Sequence, residues 1–238
     1  MSMKEVQAPS DRKKKLLMVV VAAIAVVAVL VAMVPLLFSM LGGGGVKTAG
    51  IDASRLKPAE TDINGTWQVQ KRPGANATSA GFTFDEVLPG EAKTTSGSTT
   101  GVAGEVHIDA SVLQVGEIVV DMTNLTTDSD VRDNNVRRKI LHTDQFPTSS
   151  FTVTEPIDLS ELPTDGSIGT VEVVGDLTIR GETNHIKAPL DVALSGSHLI
   201  VAGDIPFNRL DYNVETPEFV AAKIAETGTL NIRLNMTK

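Results

Sequence analysis

A chain of 238 residues, 42% of them hydrophobic, is long enough for one ordinary domain and an appendage. It contains no cysteine, which excludes a disulfide framework, thiolate metal sites, a thiol nucleophile and a cysteine-linked lipid anchor. Residues 1–15 hold five cations against two acids, so +3 of the net −8 sits there and the remainder carries −11, a balance that argues against a nucleic-acid-binding surface.

Residues 1–15 form a short basic arm ending in Arg12-Lys13-Lys14-Lys15, and from Leu16 to Leu41 no residue is charged. That run exceeds the roughly 20 apolar residues a helix needs to cross a bilayer. Positive charge on its N-terminal flank keeps the arm cytoplasmic. A cleaved signal peptide would have an apolar core of about 7–15 residues followed by a small-x-small site. This core is longer, and no A-x-A follows Pro35. The expectation is an uncleaved single-pass helix over 16–41 in the inner or plasma membrane, with all that follows extracytoplasmic. Residues 42–61 open on the run Gly42–Gly45 and read as a flexible tether.

The folded domain is expected over 62–238. Gly65–Val69 alternates with Trp67 and Val69 on one face, and Arg72-Pro73-Gly74 marks a turn. Ala80–Leu88 alternates with Phe82, Phe84 and Glu86 together, and Pro89-Gly90 closes it. Thr94–Ile108 is polar and glycine-rich but of strand composition, with bulges or close strand approach expected at Gly101 and Gly104. Ile118–Leu125 is the next strand. After Asp128 the period turns helical, with Asp130 as N-cap and Val131, Asn134 or Asn135, Ile140 and Leu141 as an inward stripe. Arg137, Arg138 and Lys139 fall in its last turn, where cations suit the dipole. Five strands are expected beyond Pro147: 150–157, 171–179, 186–194, 199–207 and 229–236. Turns fall at Gly181 and at Ser195-Gly196-Ser197, and a short helix is expected over 216–227. Nine or ten short antiparallel strands with two helical inserts describe an all-β sandwich or barrel.

Three segments of this domain resemble the YceI-like family of polyisoprenoid- and lipid-binding domains. Arg132-Asp133 with Phe146-Pro147 and Phe151 resembles its R-D…F-P…F block. Gly175-Asp176-Leu177-Thr178-Ile179-Arg180-Gly181-Glu182-Thr183 is similar to its G-D-L-T-I-R-G-x-T, and Gly101–Asp109 to its glycine-led strand. Asn135 and Val136 stand where many members have histidine and leucine. The resemblance covers about residues 62–238. It implies an antiparallel, lipocalin-like β-barrel with a lipid tunnel, a binding protein and not an enzyme. A long isoprenoid or similar lipid is then the implied partner, and no cofactor is implied. Buried tails gain roughly 0.8 kcal/mol for each CH₂, so few specific contacts are needed.

Trp67, Phe82, Phe84, Phe151, Leu177, Ile179, Leu190, Val192 and Phe207 are the candidate lumen residues, each on an alternating strand face. Arg132, Arg137 and Arg138 are the candidates for a polar head group, since guanidinium forks suit anionic oxygens. His107, His142, His185 and His198 have no metal-ligand spacing, and no nucleophile elbow, phosphate loop or dinucleotide fingerprint is present. Two functions follow. One is non-catalytic binding or shuttling of a lipid beside the membrane. The other is a cell-envelope interaction or stress-response module whose barrel is filled by its own side chains.

Overall fold

The structure is a computed structural model that describes residues 46–71, 73–88, 91–216 and 223–238. The basic arm, the expected span over 16–41, the Pro89-Gly90 turn and residues 217–222 of the expected helix over 216–227 lie outside them. Among the described residues no helix is long and apolar enough to cross a membrane.

Among the described residues eleven strands form one sheet: β1 (Gly65–Val69), β2 (Ser79–Leu88), β3 (Glu91–Thr99), β4 (Val102–Asp109), β5 (Val112–Asp121), β6 (Thr148–Val153), β7 (Ile157–Asp158), β8 (Gly169–Ile179), β9 (Glu182–Ser195), β10 (His198–Asn208) and β11 (Lys223–Thr237). Every pairing between them is antiparallel. Eight of them run in the order β1-β4-β5-β6-β8-β9-β10-β11, and β11 returns to β1 through Gln68↔Thr237 and Val69↔Met236, closing a barrel. The edge of β11 that meets β1 at its C-terminal end carries β2 from Lys223 to Arg233. The β2–β3 hairpin reaches across to Thr126 beyond β5, where Ser98 and Thr126 exchange two backbone bonds of 2.9 Å. One end of the seam is therefore closed by β1 and the other by β2–β3.

Alternation explains the inner wall. In β8, Val173, Leu177 and Ile179 are buried and face inward with Val171 and Gly175, opposite Leu190, Ala188 and Ile186 of β9. Each such side chain contributes about 1.5–3 kcal/mol by leaving water. The stretch 94–108 is two strands, not one, with Thr100-Gly101 turning between β3 and β4. Gly104, at φ 148°, lies where β4 and β5 approach so closely that a Cβ would collide with the Glu117 carbonyl oxygen, while the register shift falls between His107 and Ile108. The strand expected over 150–157 breaks into β6 and the two-residue β7. Lys223–Thr227, expected as helix, is strand, with an irregularity between Ile224 and Gly228.

The helical insert is α1 (Asp130–Asn135) followed by a π turn, Val136–Ile140. Its N-cap is Ser129, whose hydroxyl accepts from the Arg132 N–H, and not Asp130. The widened turn re-aims the inward face: Asp133, Val136 and Leu141 are buried, while Val131 is 73% exposed.

Residues 47–60, expected within the tether, are bound to the outside of the barrel. Thr48 shares a hydroxyl bond of 2.7 Å with Ser79, and Arg233 donates to the Gly50 carbonyl at 3.1 Å. Asp52 N–H donates to Asn76 at 2.6 Å, Lys57 N–H to the Ser195 hydroxyl at 2.8 Å, and Glu60 N–H to the Gly196 carbonyl at 2.8 Å. Backbone polar groups satisfied in this way make the segment a strap and not a tether.

Candidate functional site

A cavity of about 410 Å³ lies inside the barrel, and its wall is almost wholly apolar. Val106, Leu199 and Met236 line one end, where β1 closes the seam. Val136, Leu141, Phe207 and Val214 line the other, beneath α1 and a 3-10 turn, Arg209–Tyr212. Eight of the nine sequence candidates are in this wall: Phe82, Phe84, Phe151, Leu177, Ile179, Leu190, Val192 and Phe207. Trp67 is not. It is fully buried in the cluster with Val106 and Met236, behind the cavity's first end, and its indole N–H donates to the Ile63 carbonyl at 2.7 Å. Its large ring packs that end shut instead of facing a ligand.

The two motif segments meet in this wall. The Phe151 ring lies over Gly175 and the Phe146 ring over Gly181, each so close that a Cβ would collide with it. Gly181 also has φ 79°, next to Arg180 at φ 50°, so the β8–β9 turn needs both residues in the left-handed region. The glycines of the motif are thus seats for the two phenylalanines. A chain of aromatic rings continues the wall: Phe84 meets Phe207 edge-on at 5.3 Å, and Phe207 meets Tyr212 at 6.2 Å. Burial raises the pKa of the Tyr212 phenol, and the Asp211 charge adds to that.

Polar side chains reach the cavity at the end under α1: Glu86, Thr95, Arg132, Asn135, Lys139 and Arg209. Arg132 pairs with Asp128, one helical turn before it, and lies 3.9 Å from Glu86. Burial opposes the ionisation of Asp128, but the hydrogen bonds and charges of Arg132 and Lys93 outweigh it and lower the pKa. Asp133 turns the other way, one oxygen accepting from both the N–H and the hydroxyl of Thr127 at 2.6 Å. The Arg132-Asp133 pair therefore fixes the helical insert to the barrel as well as presenting Arg132 to the cavity.

Arg137 and Arg138, the other head-group candidates, do not reach the cavity wall. Arg137 donates to the Leu125 carbonyl at 3.3 Å, and Arg138 is exposed on the outer face. Their place at this end is taken by Lys139 and by Arg209, which sequence reading missed. Arg209 is 8% exposed; its Nε donates to the Ala225 carbonyl at 3.1 Å and a terminal nitrogen to the Val214 carbonyl at 2.7 Å. The signal available was a lone cation directly after the apolar alternation of β10, ending Phe207-Asn208-Arg209. Thr95 was missed too, because its strand has no apolar alternation to give it a face.

Among the described residues no three His, Asp or Glu side chains gather as a metal site. Three of the histidines sit apart on the outer face: His107 against Thr66 at 3.1 Å, His185 against Asp176 at 2.8 Å and His198 against Asn235 at 2.7 Å.

Residues 67–236 match the model of a family described as the YceI-like domain. Among solved structures, a polyisoprenoid-binding domain from Saccharophagus degradans implicated in plant cell wall breakdown is 18% identical. It covers 72% of this chain and 97% of its own, with a TM-score of 0.55. BcnA from Burkholderia cenocepacia is 19% identical, covers 66% of this chain and 95% of its own, and has a TM-score of 0.52. At such identities the likeness is one of fold. No curated protein matches the chain.

Proposed function

Because the chain belongs to the YceI-like domain family, we propose that its barrel is a non-catalytic carrier for a long-chain isoprenoid or similar lipid. The observation that supports this most directly is the cavity itself. A barrel serving only as an interaction module would fill its interior with side chains, as small barrels do. This one has about 410 Å³ of space, within the usual range of ligand sites, bounded by apolar side chains and shut behind by Trp67. An apolar chain entering from the polar end displaces water from that surface at every methylene, and its head group stays beside Arg132, Lys139 and Arg209. The Saccharophagus domain of the same fold is named for binding polyisoprenoids, which favours an isoprenoid chain here.

The carrier reading joins a membrane reading. The uncharged run 16–41 after a basic arm has the length and flank of a single-pass span with its N-terminus in the cytoplasm. The barrel then works on the extracytoplasmic side, receiving and handing over lipid beside the bilayer.

Native mass spectrometry of the full-length chain, purified gently from its host with lipid extraction in parallel, tests the function. The expected result is a stoichiometric adduct that extracts as a long-chain lipid. A bare protein mass that also takes up no added prenyl or acyl lipid would refute the carrier reading and leave the interaction module.

A further inference from the structure

Among the described residues, two groups at the polar end of the cavity lack the partners their chemistry calls for. Thr95 is 2% exposed, and its hydroxyl is the one buried side-chain polar atom among the described residues with no hydrogen-bond partner. The large majority of buried side-chain polar atoms in native proteins are paired, so an unpaired hydroxyl in a cavity wall marks a place for a partner. Arg209 is buried too, and the partners it has are neutral carbonyls. A buried guanidinium cannot shed its proton, and burial of its charge is costly until an anion answers it. No carboxylate of the described residues lies within ion-pair distance of it. The nearby charges are already engaged: Arg132 with Asp128 and Glu86, and Lys93 with Asp128.

The two groups belong to one place. Thr95 pairs across β2–β3 with Phe84, whose ring packs on Phe207, two residues before Arg209. Arg209 is tied to Ala225, next to Ile224, which pairs with Glu86. Both line the same cavity.

We propose that Thr95 and Arg209 form a head-group subsite for a single-chain lipid ending in an anionic oxygen group, a phosphate or a carboxylate. The proposal rests on the carrier reading and adds the head chemistry to it. Arg209 supplies the fixed charge and a fork of N–H donors, and the Thr95 hydroxyl donates a directional bond. Glu86 faces the same end and repels a free anion, but Arg132 sits beside it and offsets its charge. The preferred ligand is then distinguished from the matching alcohol or hydrocarbon by its head and not by its tail.

The test is equilibrium binding of four radiolabelled probes to the full-length chain held in amphipol: farnesyl phosphate, farnesol, oleate and oleyl alcohol. At least one anion is expected to bind about tenfold or more tightly than its alcohol, the factor a charge-assisted bond supplies. Which anion does so decides between phosphate and carboxylate. Arg209→Gln is expected to abolish the preference and Arg209→Lys to keep part of it. Because Arg209 also ties two backbone segments, Thr95→Val provides a variant of unchanged shape that removes only the hydroxyl. It is expected to reduce the preference several-fold with the melting temperature held or raised. Equal binding of anions and alcohols, unaltered by Thr95→Val, overturns the subsite and leaves the carrier. Failure of all four probes to bind overturns the carrier reading and the subsite with it.

Discussion

Asp133 illustrates how much one buried carboxylate organises. Both bonds it accepts come from Thr127, the residue at which the chain leaves the sheet for α1. Replacing it with alanine leaves the Thr127 N–H unpaired in a buried site and its hydroxyl donating only a long bond of 3.4 Å to the Ser129 carbonyl. The expected cost is about 2–3 kcal/mol, read from urea unfolding of Asp133→Ala against the parent. Asp128, five residues earlier, gives a pH dependence. Its carboxyl pKa is lowered in the folded protein from an ordinary value of 3.8, so its contribution is complete above that value and is lost as pH falls through the lower, folded one. The melting-temperature gap between the parent and Asp128→Asn should therefore hold from pH 7 to about pH 5 and close at more acid pH. At this scale, legibility followed side-chain type. The apolar wall residues of β8, β9 and β10 were readable because alternation assigns a face. Trp67 alternated equally well, but burial and cavity contact look the same in a sequence. Arg209 and Thr95 were illegible because their significance is the absence of a partner, which only coordinates can record.

At the scale of elements, turns hold the clearest prospect for change. The β4–β5 hairpin turns through Ala110 (φ 49°) and Ser111 (φ 60°), both left-handed and neither a glycine. That geometry favours Asn-Gly, and a left-handed L-residue costs roughly 1–2 kcal/mol. Ala110→Asn combined with Ser111→Gly is expected to stabilise the protein by about 1 kcal/mol, measured as a raised urea midpoint at unchanged slope. The long strands were legible for the same reason the wall residues were. The division of 94–108 was not, since Thr, Ser and Gly give no alternating apolar signal and the Thr100-Gly101 turn has no strong marker. The strap over 47–60 also escaped notice. It is held by backbone groups and short polar side chains, which read as linker in any composition-based view.

For the whole molecule, the proposed single-pass placement has a direct measurement. The chain has no cysteine of its own, so single thiols can be introduced without background. Ser197 is exposed in the β9–β10 turn, and Ser2 lies in the basic arm. In intact cells an impermeant maleimide is expected to label Ser197→Cys and to spare Ser2→Cys until the cells are lysed. The reverse pattern, or equal labelling of both, would discard the single-pass arrangement. The strap bears on the same question, because a tether cannot extend past Lys47 when that residue pairs with Asp204 at 3.1 Å and its neighbours are bound to the wall.

The seam carries a consequence for how the protein comes into being. β11 is the common partner of β10, β2 and β1, and it lies downstream of all of them. Until a ribosome has made and released it, the earlier strands form an open, curved sheet with its apolar face uncovered. Pairings this distant in sequence form slowly, so the newborn chain meets its surroundings as a trough before it becomes a tube. A lipid or a chaperone present at that moment meets the apolar face along its whole length, and not only through the polar end.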